Sequence, residues 1–194
     1  MGRRLRIAFG EGGQALLEFA LILPVMLMLV FGLVEFSFVM NTSSSVNFAS
    51  HDAAMLLAEG GKHDGADCVA LAAIEVDLQG PAMPPRVQRV EVYLSDANGE
   101  QIGSAANVYE RTGATTCDYG DGTTLTVPYT LTTAGYVPSQ RCDVLAGCGA
   151  GHPTVDTIGV RITYAHQWAT SFGRLIAGTV TFRKATAIRM EPTL

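Results

Sequence analysis

A long apolar run near the N-terminus constrains this chain more than any other feature. From Phe19 to Met40, twenty-two positions, only Glu35 and Ser37 interrupt the apolar character. As a helix rising about 1.5 Å per residue, such a run reaches across a hydrocarbon layer of about 30 Å. Pro24 and Gly32 lie within it; membrane helices tolerate both, because neighbouring groups or local adjustment satisfy a freed carbonyl, and a kink is expected near Pro24. Charged residues make up 16 % of the chain and apolar ones 48 %. The apolar excess is gathered at this end, as in a membrane anchor. Arg3, Arg4 and Arg6 precede the run, and no Lys or Arg follows before Lys62. The positive-inside rule therefore predicts a single pass with the N-terminus in the cytoplasm and the remainder outside.

The length of 194 residues leaves room for one soluble domain beyond the anchor. A formal net charge of −5, with no basic stretch past the N-terminus, argues against nucleic acid as a partner. All four cysteines, Cys68, Cys117, Cys142 and Cys148, follow the apolar run. An even number outside the cytoplasm reads as two disulfides, with three pairings open.

Glu18 stands at the entrance to the run and needs compensation, since an unpaired charge at the centre of a membrane helix costs about 2.5–3.5 kcal/mol. The surrounding text, Glu11-Gly12-Gly13-Gln14-Ala15-Leu16-Leu17-Glu18-Phe19, resembles a prepilin leader. That resemblance implies a peptidase cutting after Gly13 at the cytoplasmic face, so that Gln14 becomes the first residue and Glu18 the fifth. Cleavage would free an α-amine beside the helix, and the Glu18 carboxylate of an incoming subunit could pair with a neighbour's amine, offsetting burial and setting register. Loss of Arg3, Arg4, Arg6 and Glu11 would move the formal charge from −5 to −7. Two plainer readings compete. Glu18 can reach headgroup water without any assembly role. The run can also be an ordinary secretory signal, although it exceeds the usual apolar core of about 7–15 residues; the small residues Thr42 to Ser45 leave cleavage there open. Glu35, seventeen residues on, falls about 25 Å along the helix and is expected at the opposite interface.

Beyond the run, Asn41-Thr42-Ser43-Ser44-Ser45 predicts a break or weak point in the helix. Val46, Ala49, Ala53 and Leu56 or Leu57 then recur at helical spacing up to Gly60-Gly61. A second helix is expected over about Ala66 to Leu78, with Leu71, Ile74 and Leu78 on one face and Gly80-Pro81 and Pro84-Pro85 ending it. From Val87 the period becomes two, with Val90, Val92 and Leu94 on one face, and Asn98-Gly99 marks a hairpin whose return runs to about Asn107–Glu110. Leu125, Val127, Tyr129 and Leu131 predict one half-buried strand, placed at an edge by Pro128. Further strands are expected over about Thr157–Trp168, with Val160, Ile162 and Tyr164 inward, and Thr179–Met190, with Val180, Phe182 and Ile188 together. The glycine-rich stretch from Thr132 to Val155 lacks a period, and Cys142 and Cys148 are expected to staple it.

The resemblance widens to the TadE-like family, the minor pilins or pseudopilins of tight-adherence (Flp) type IV pili. Gly13-Gln14 through Glu18-Phe19, Leu23-Pro24 and Val34-Glu35-Phe36 carry it at one end. Val160 to Tyr164, Phe172, the threonine-rich last strand and Arg189-Met190-Glu191-Pro192 carry it at the other. It implies a leader over residues 1–13, a transmembrane helix over 14–40, a helical stalk and second helix over 41–80, and an extracytoplasmic β-rich domain over 81–194. The fold class is α+β, an anchor and stalk helix followed by a small, mostly antiparallel sheet with a packed helix. The implied partners are the prepilin peptidase, other pilins or pseudopilins, inner-membrane assembly proteins and the membrane. The implied role is pilus assembly, surface adhesion and biofilm formation. Gly13 and Gln14 would be the processing site, and Glu18 and Phe19 the assembly residues.

Other readings carry less. Cys142, Cys148 and His152 have the chemistry of zinc ligands, but thiols outside the cell oxidise. Asp118 and Asp121, or Asp96 with Asn98 and Glu100, offer oxygens for calcium without the full loop pattern, and turn chemistry explains them. His51, His63, His152 and His166 are scattered and no nucleophile motif is present, so neither catalysis nor a cofactor is expected. Tyr164, Trp168 and Phe172 could form a contact patch, with core packing the default. The competing function is a membrane-tethered domain that recognises a carbohydrate or surface ligand through the loop at Cys142 to Cys148.

Overall fold

In the computed structural model of this chain, residues 11–80, 82–118, 123–145, 147–148, 154–171, 173–174 and 178–191 are described. Arg3, Arg4, Arg6, Pro81, Asp121, His152, Phe172 and Pro192 lie outside them. The apolar run sits in one long helix, α1, Glu11–Gly60, which continues through Pro24. Its 50 residues extend about 75 Å.

The break expected at Asn41 to Ser45 is absent, and the hydroxyls of Ser45 and, beyond it, Ser50 turn back onto their own helix. Ser45 Oγ donates to Asn41 O at 3.1 Å, and Ser50 Oγ donates to Asn47 O at 2.9 Å while also contacting Thr186 Oγ1. Bonds of this kind occupy the hydroxyls without freeing the backbone. Burial of Val46, Ala49, Ala53, Ala54 and Leu57 against the domain secures the same segment. The helix ends at Gly61, which takes φ 56° and donates its N–H to Leu57 O at 3.2 Å.

A short turn leads to α2, Ala66–Asp77, as the spacing predicts, with Leu71, Ile74 and the following Leu78 buried. After a single 3-10 turn at Pro84–Arg86 the chain enters a five-stranded antiparallel sheet. Its strands are β1, Val87–Ser95; β2, Gln101–Glu110; β5, Thr130–Ala134; β6, Thr157–His166; and β7, Val180–Arg189. They lie in the order β5-β2-β1-β6-β7. The β1–β2 hairpin turns at Asn98-Gly99, where Gly99 takes φ 88°.

Strand expectations fail in one place. The single strand read over Leu125 to Leu131 is two, β4, Thr124–Val127, and β5, with Pro128 between them. Proline lacks an N–H for the ladder, and the neighbouring Tyr129 is fully buried. Strand β4 pairs instead with β3, Thr115–Asp118, in a separate ribbon.

One face of the large sheet carries the core. Val90, Val92, Ile158, Val160, Ile162 and Tyr164 pack there with Val46, Ala49, Leu57, Leu71 and Ile74 from the helices. The opposite face is covered by long side chains of its own strands. Tyr93 lies over Gly159, where an added Cβ would come within 2.3 Å of the ring. The Arg161 guanidinium stacks 4.5 Å from the ring centroid and bonds Glu91 at 3.2 Å. Burial raises the Glu91 carboxyl, but hydrogen bonds from Arg161 and Arg183 and the charge of Arg89 outweigh it and hold the group below the ordinary carboxylate range.

The cysteines form Cys68–Cys117 and Cys142–Cys148. The first ties α2 to the β3–β4 ribbon, and the second closes the glycine-rich stretch as expected.

Candidate functional site

The helix α1 divides into two halves with opposite environments. From Gly13 through Phe31 every residue is exposed, among them Leu16, Leu17, Phe19, Leu21 and Leu29, and none of the most apolar eighteen-residue window is buried within the chain. The helix is long and apolar enough to cross a membrane, and it is compatible with a single-pass anchor. From Thr42 onward the helix carries the domain on one side. A bare apolar rod of this kind must be covered by lipid or by other helices, since water alone would leave it strongly prone to associate.

Gly13, Gln14, Glu18 and Phe19 all lie on the bare half. Nothing comes within 4 Å of a Cβ built on Gly13. Gln14 and Glu18 stand one turn apart, and Gln14 Nε2 donates to Glu18 Oε1 at 3.2 Å. All four are exposed in the first turns of α1, and only Gln14 and Glu18 are shown to share a face.

Glu35 is buried, 4 % exposed, where the domain meets the helix. Its two carboxylate oxygens accept the backbone N–H groups of Ala169 and Thr170, just beyond β6. A side chain on Gly173 would meet the Trp168 ring at 2.8 Å and Glu35 Oε1 at 3.0 Å, so the turn closes round the carboxylate only with glycine there. The physical reason is register. Gly32, Glu35, Val39, Thr42, Val46, Ala49 and Ala53 follow alternating three- and four-residue steps, and all are buried or half-buried. Glu35 thus belongs to the stripe that faces the domain, and extending the Val46–Ala49–Ala53 spacing backwards would have found it. Ala169, Thr170 and Gly173 have no comparable mark, because their role depends on a backbone that only the fold brings to the helix.

Of the aromatic trio, Tyr164 is buried and its hydroxyl accepts the Met83 N–H at 2.9 Å. Trp168 is half-buried beside the junction, with Nε1 donating to Gly178 O. Phe172 lies outside the described residues. His166, next to Trp168, is buried and packs edge-on against it, with centroids 5.4 Å apart. Burial lowers its pKa, with the Arg86 charge acting the same way, against an opposing pull from Glu35.

Sequence candidates for metal sites resolve into local structure. Cys142 and Cys148 are bonded to each other. Asp96 Oδ1 accepts the N–H groups of Asn98 at 2.8 Å and Glu100 at 2.9 Å, closing the hairpin turn. Asp118 ends β3, while Asp121 and His152 lie outside the described residues.

A buried polar network, missed in the sequence, holds the long loop after β5. Asp67 in the first turn of α2 accepts from Asn107 Nδ2 at 2.9 Å, Tyr109 Oη at 2.6 Å and Arg141 Nη2. Tyr136 Oη donates to Asp156 Oδ2 at 2.6 Å, and the Cys142 N–H reaches the same oxygen at 2.9 Å. Desolvation, reinforced by these carboxylates, pushes the Tyr109 and Tyr136 hydroxyls well above the ordinary phenol value. These hydroxyls serve as donors, and the network ties loop to sheet.

Residues 13–55 match the family described as TadE-like protein, which associates the segment with tight-adherence pilus systems. The match covers the bare half of α1, Glu35 and the first turns on the domain, and it includes none of the sheet. No curated protein and no solved structure matches the chain.

Proposed function

We propose, from the TadE-like character of residues 13–55, that this chain is a minor pilin or pseudopilin of a tight-adherence type IV pilus. It acts in assembly and surface attachment rather than in catalysis. The observation that carries the reading is the bare apolar half of α1, headed by the exposed pair Gln14 and Glu18 and joined without interruption to a folded domain. Such a helix can be stored in lipid and later packed among like helices, because its apolar surface is satisfied in either setting. In this reading the N-terminus faces the cytoplasm, the domain lies outside, and a prepilin peptidase cuts between Gly13 and Gln14.

The new amine at Gln14 would then stand one turn from Glu18 of its own chain and within reach of Glu18 on an incoming subunit. Pairing between chains replaces the Gln14–Glu18 contact by a charged one, and in an apolar bundle it offsets the cost of about 2.5–3.5 kcal/mol for an unpaired carboxylate. Other pilins and inner-membrane assembly proteins are the partners that this chemistry fits. Intact mass and N-terminal sequencing of the membrane-extracted protein test the reading. A start at Gln14 is expected, with Glu18→Ala reducing pilus assembly at least tenfold while leaving processing and membrane insertion intact. A mature start at Met1, or one near Thr42 to Ser45, would overturn it.

A further inference from the structure

At the base of the domain a cleft of about 380 Å³ opens beside the outer end of the apolar run. Phe38 and Thr42 of α1 form one wall, and Arg86, His166, Trp168 and Arg174 contribute the other. Two deep polar atoms on this lining have no partner, Thr42 Oγ1 and His166 Nε2. Their residues are 1 % and 6 % exposed. A buried polar atom left unpaired costs about 1–3 kcal/mol, so two of them on one cleft mark a place suited to a ligand that can bond both.

The charges select its sign. Arg86 and Arg174 both line the cleft, and among the described residues neither forms an ion pair. The Glu35 carboxylate at this junction is already engaged by the N–H groups of Ala169 and Thr170. Two unpaired guanidinium groups, a hydroxyl and an imidazole that can carry its proton on Nε2 make a donor set for a phosphate group. Depth selects the source. Phe38 lies within the apolar run and Thr42 just past its end, so the cleft opens at the level where headgroups begin, and Trp168 is a side chain favoured at that level.

We propose that this cleft seats the phosphate of a phospholipid from the leaflet facing the domain. Arg86 and Arg174 balance its charge, while Thr42 and His166 donate from below. The inference rests on α1 being a membrane span and is independent of any role in a pilus.

Trp168 is the sole tryptophan of the chain and lines the cleft, so its emission reports on occupancy. The full chain in a phosphate-free detergent is titrated with short-chain phosphatidylglycerol, with the matching diacylglycerol, and with inorganic phosphate. A saturable change with phosphatidylglycerol is expected, and none with diacylglycerol. Half-saturation should rise at least tenfold in the double variant Arg86→Gln/Arg174→Gln and a few-fold in Thr42→Val, which keeps the side-chain shape without the hydroxyl. Circular dichroism checks the fold of each variant; if the double variant is misfolded, Thr42→Val decides. The proposal is overturned if phosphatidylglycerol gives no saturable change, if diacylglycerol acts equally well, or if the folded variants bind like the wild type. Inorganic phosphate saturating as tightly as the lipid would also overturn it in favour of a soluble anion. A chain recovered from cells in the soluble fraction would defeat the membrane reading and this inference together, whereas unprocessed but membrane-bound protein would defeat only the pilin reading.

Discussion

Arg141 is fully buried, and Asp67 is the one carboxylate that bonds it among the described residues. Arg141 also meets the Tyr136 carbonyl at 3.2 Å and the Tyr136 ring, 5.2 Å from the guanidinium carbon to the centroid. Asp67→Ala should therefore destabilise the full chain in detergent by about 3–5 kcal/mol, because it strands a buried cation. Chemical denaturation gives that value, and a loss under about 1 kcal/mol would show that water reaches the guanidinium. Asp77 presents the opposite case. Burial raises its carboxyl pKa, and the nearby charge of Asp52 on α1 raises it further. A carboxyl whose pKa is higher folded than unfolded lets the folded state hold its proton more tightly, so it disfavours folding above the raised value and stops doing so as pH falls below the ordinary carboxylate range. Asp77→Asn should accordingly stabilise the chain at pH 7 by roughly 0.5 kcal/mol, and the gain should vanish in acid. Melting curves at the two pH values test the sign.

At the level of elements, the junction between α1 and the turn after β6 rests on one side chain. Glu35→Gln removes the charge and one of the two acceptors, and a hydrogen bond to a charged group is worth about 1.5–3 kcal/mol. Amide exchange at Ala169 and Thr170 should accelerate by tenfold or more, while exchange in β1 and β6 stays unchanged; equal protection in both proteins would show that the turn is held by other contacts. The two disulfides should differ in weight as well. Cys68–Cys117 spans 49 residues and Cys142–Cys148 spans 6, so the loop-entropy relation gives the first about 4 kcal/mol and the second about 2.2 kcal/mol. Denaturation of the paired Cys→Ser variants should preserve that order. Periodicity made α2, β1, β6 and β7 legible, since each buries one face and repeats accordingly. Strand β3 was invisible because it is four residues long and is stabilised by a partner ribbon and a disulfide. The division at Pro128 was misread because alternation continues across it, although the proline itself marked where a ladder cannot run.

Over the whole molecule, the long apolar helix could be read directly, because the apolar run is local text. The base of the domain could not. Its cleft is assembled from α1, the turn at Pro84–Arg86 and the segment after β6, and only three-dimensional packing joins them. Glu35 lies between these cases: its charge is visible in the sequence, and its register with Thr42 and Val46 marks the face it shares, but its partners Ala169 and Thr170 are joined to it only by the fold.

The uninterrupted course of α1 from Phe19 to Ala58 makes its bare half and the domain a single gear. With no swivel between them, the azimuth at which the sheet points away from the bare half of the helix is set by counting residues. One alanine inserted between Leu29 and Val30, below the Glu35 junction, would turn the entire domain by about 100° and raise it about 1.5 Å relative to the lower half of the helix. Four alanines would return it nearly to its starting bearing, about 6 Å higher. Partners that grip both halves would therefore reject the first insertion far more strongly than the second.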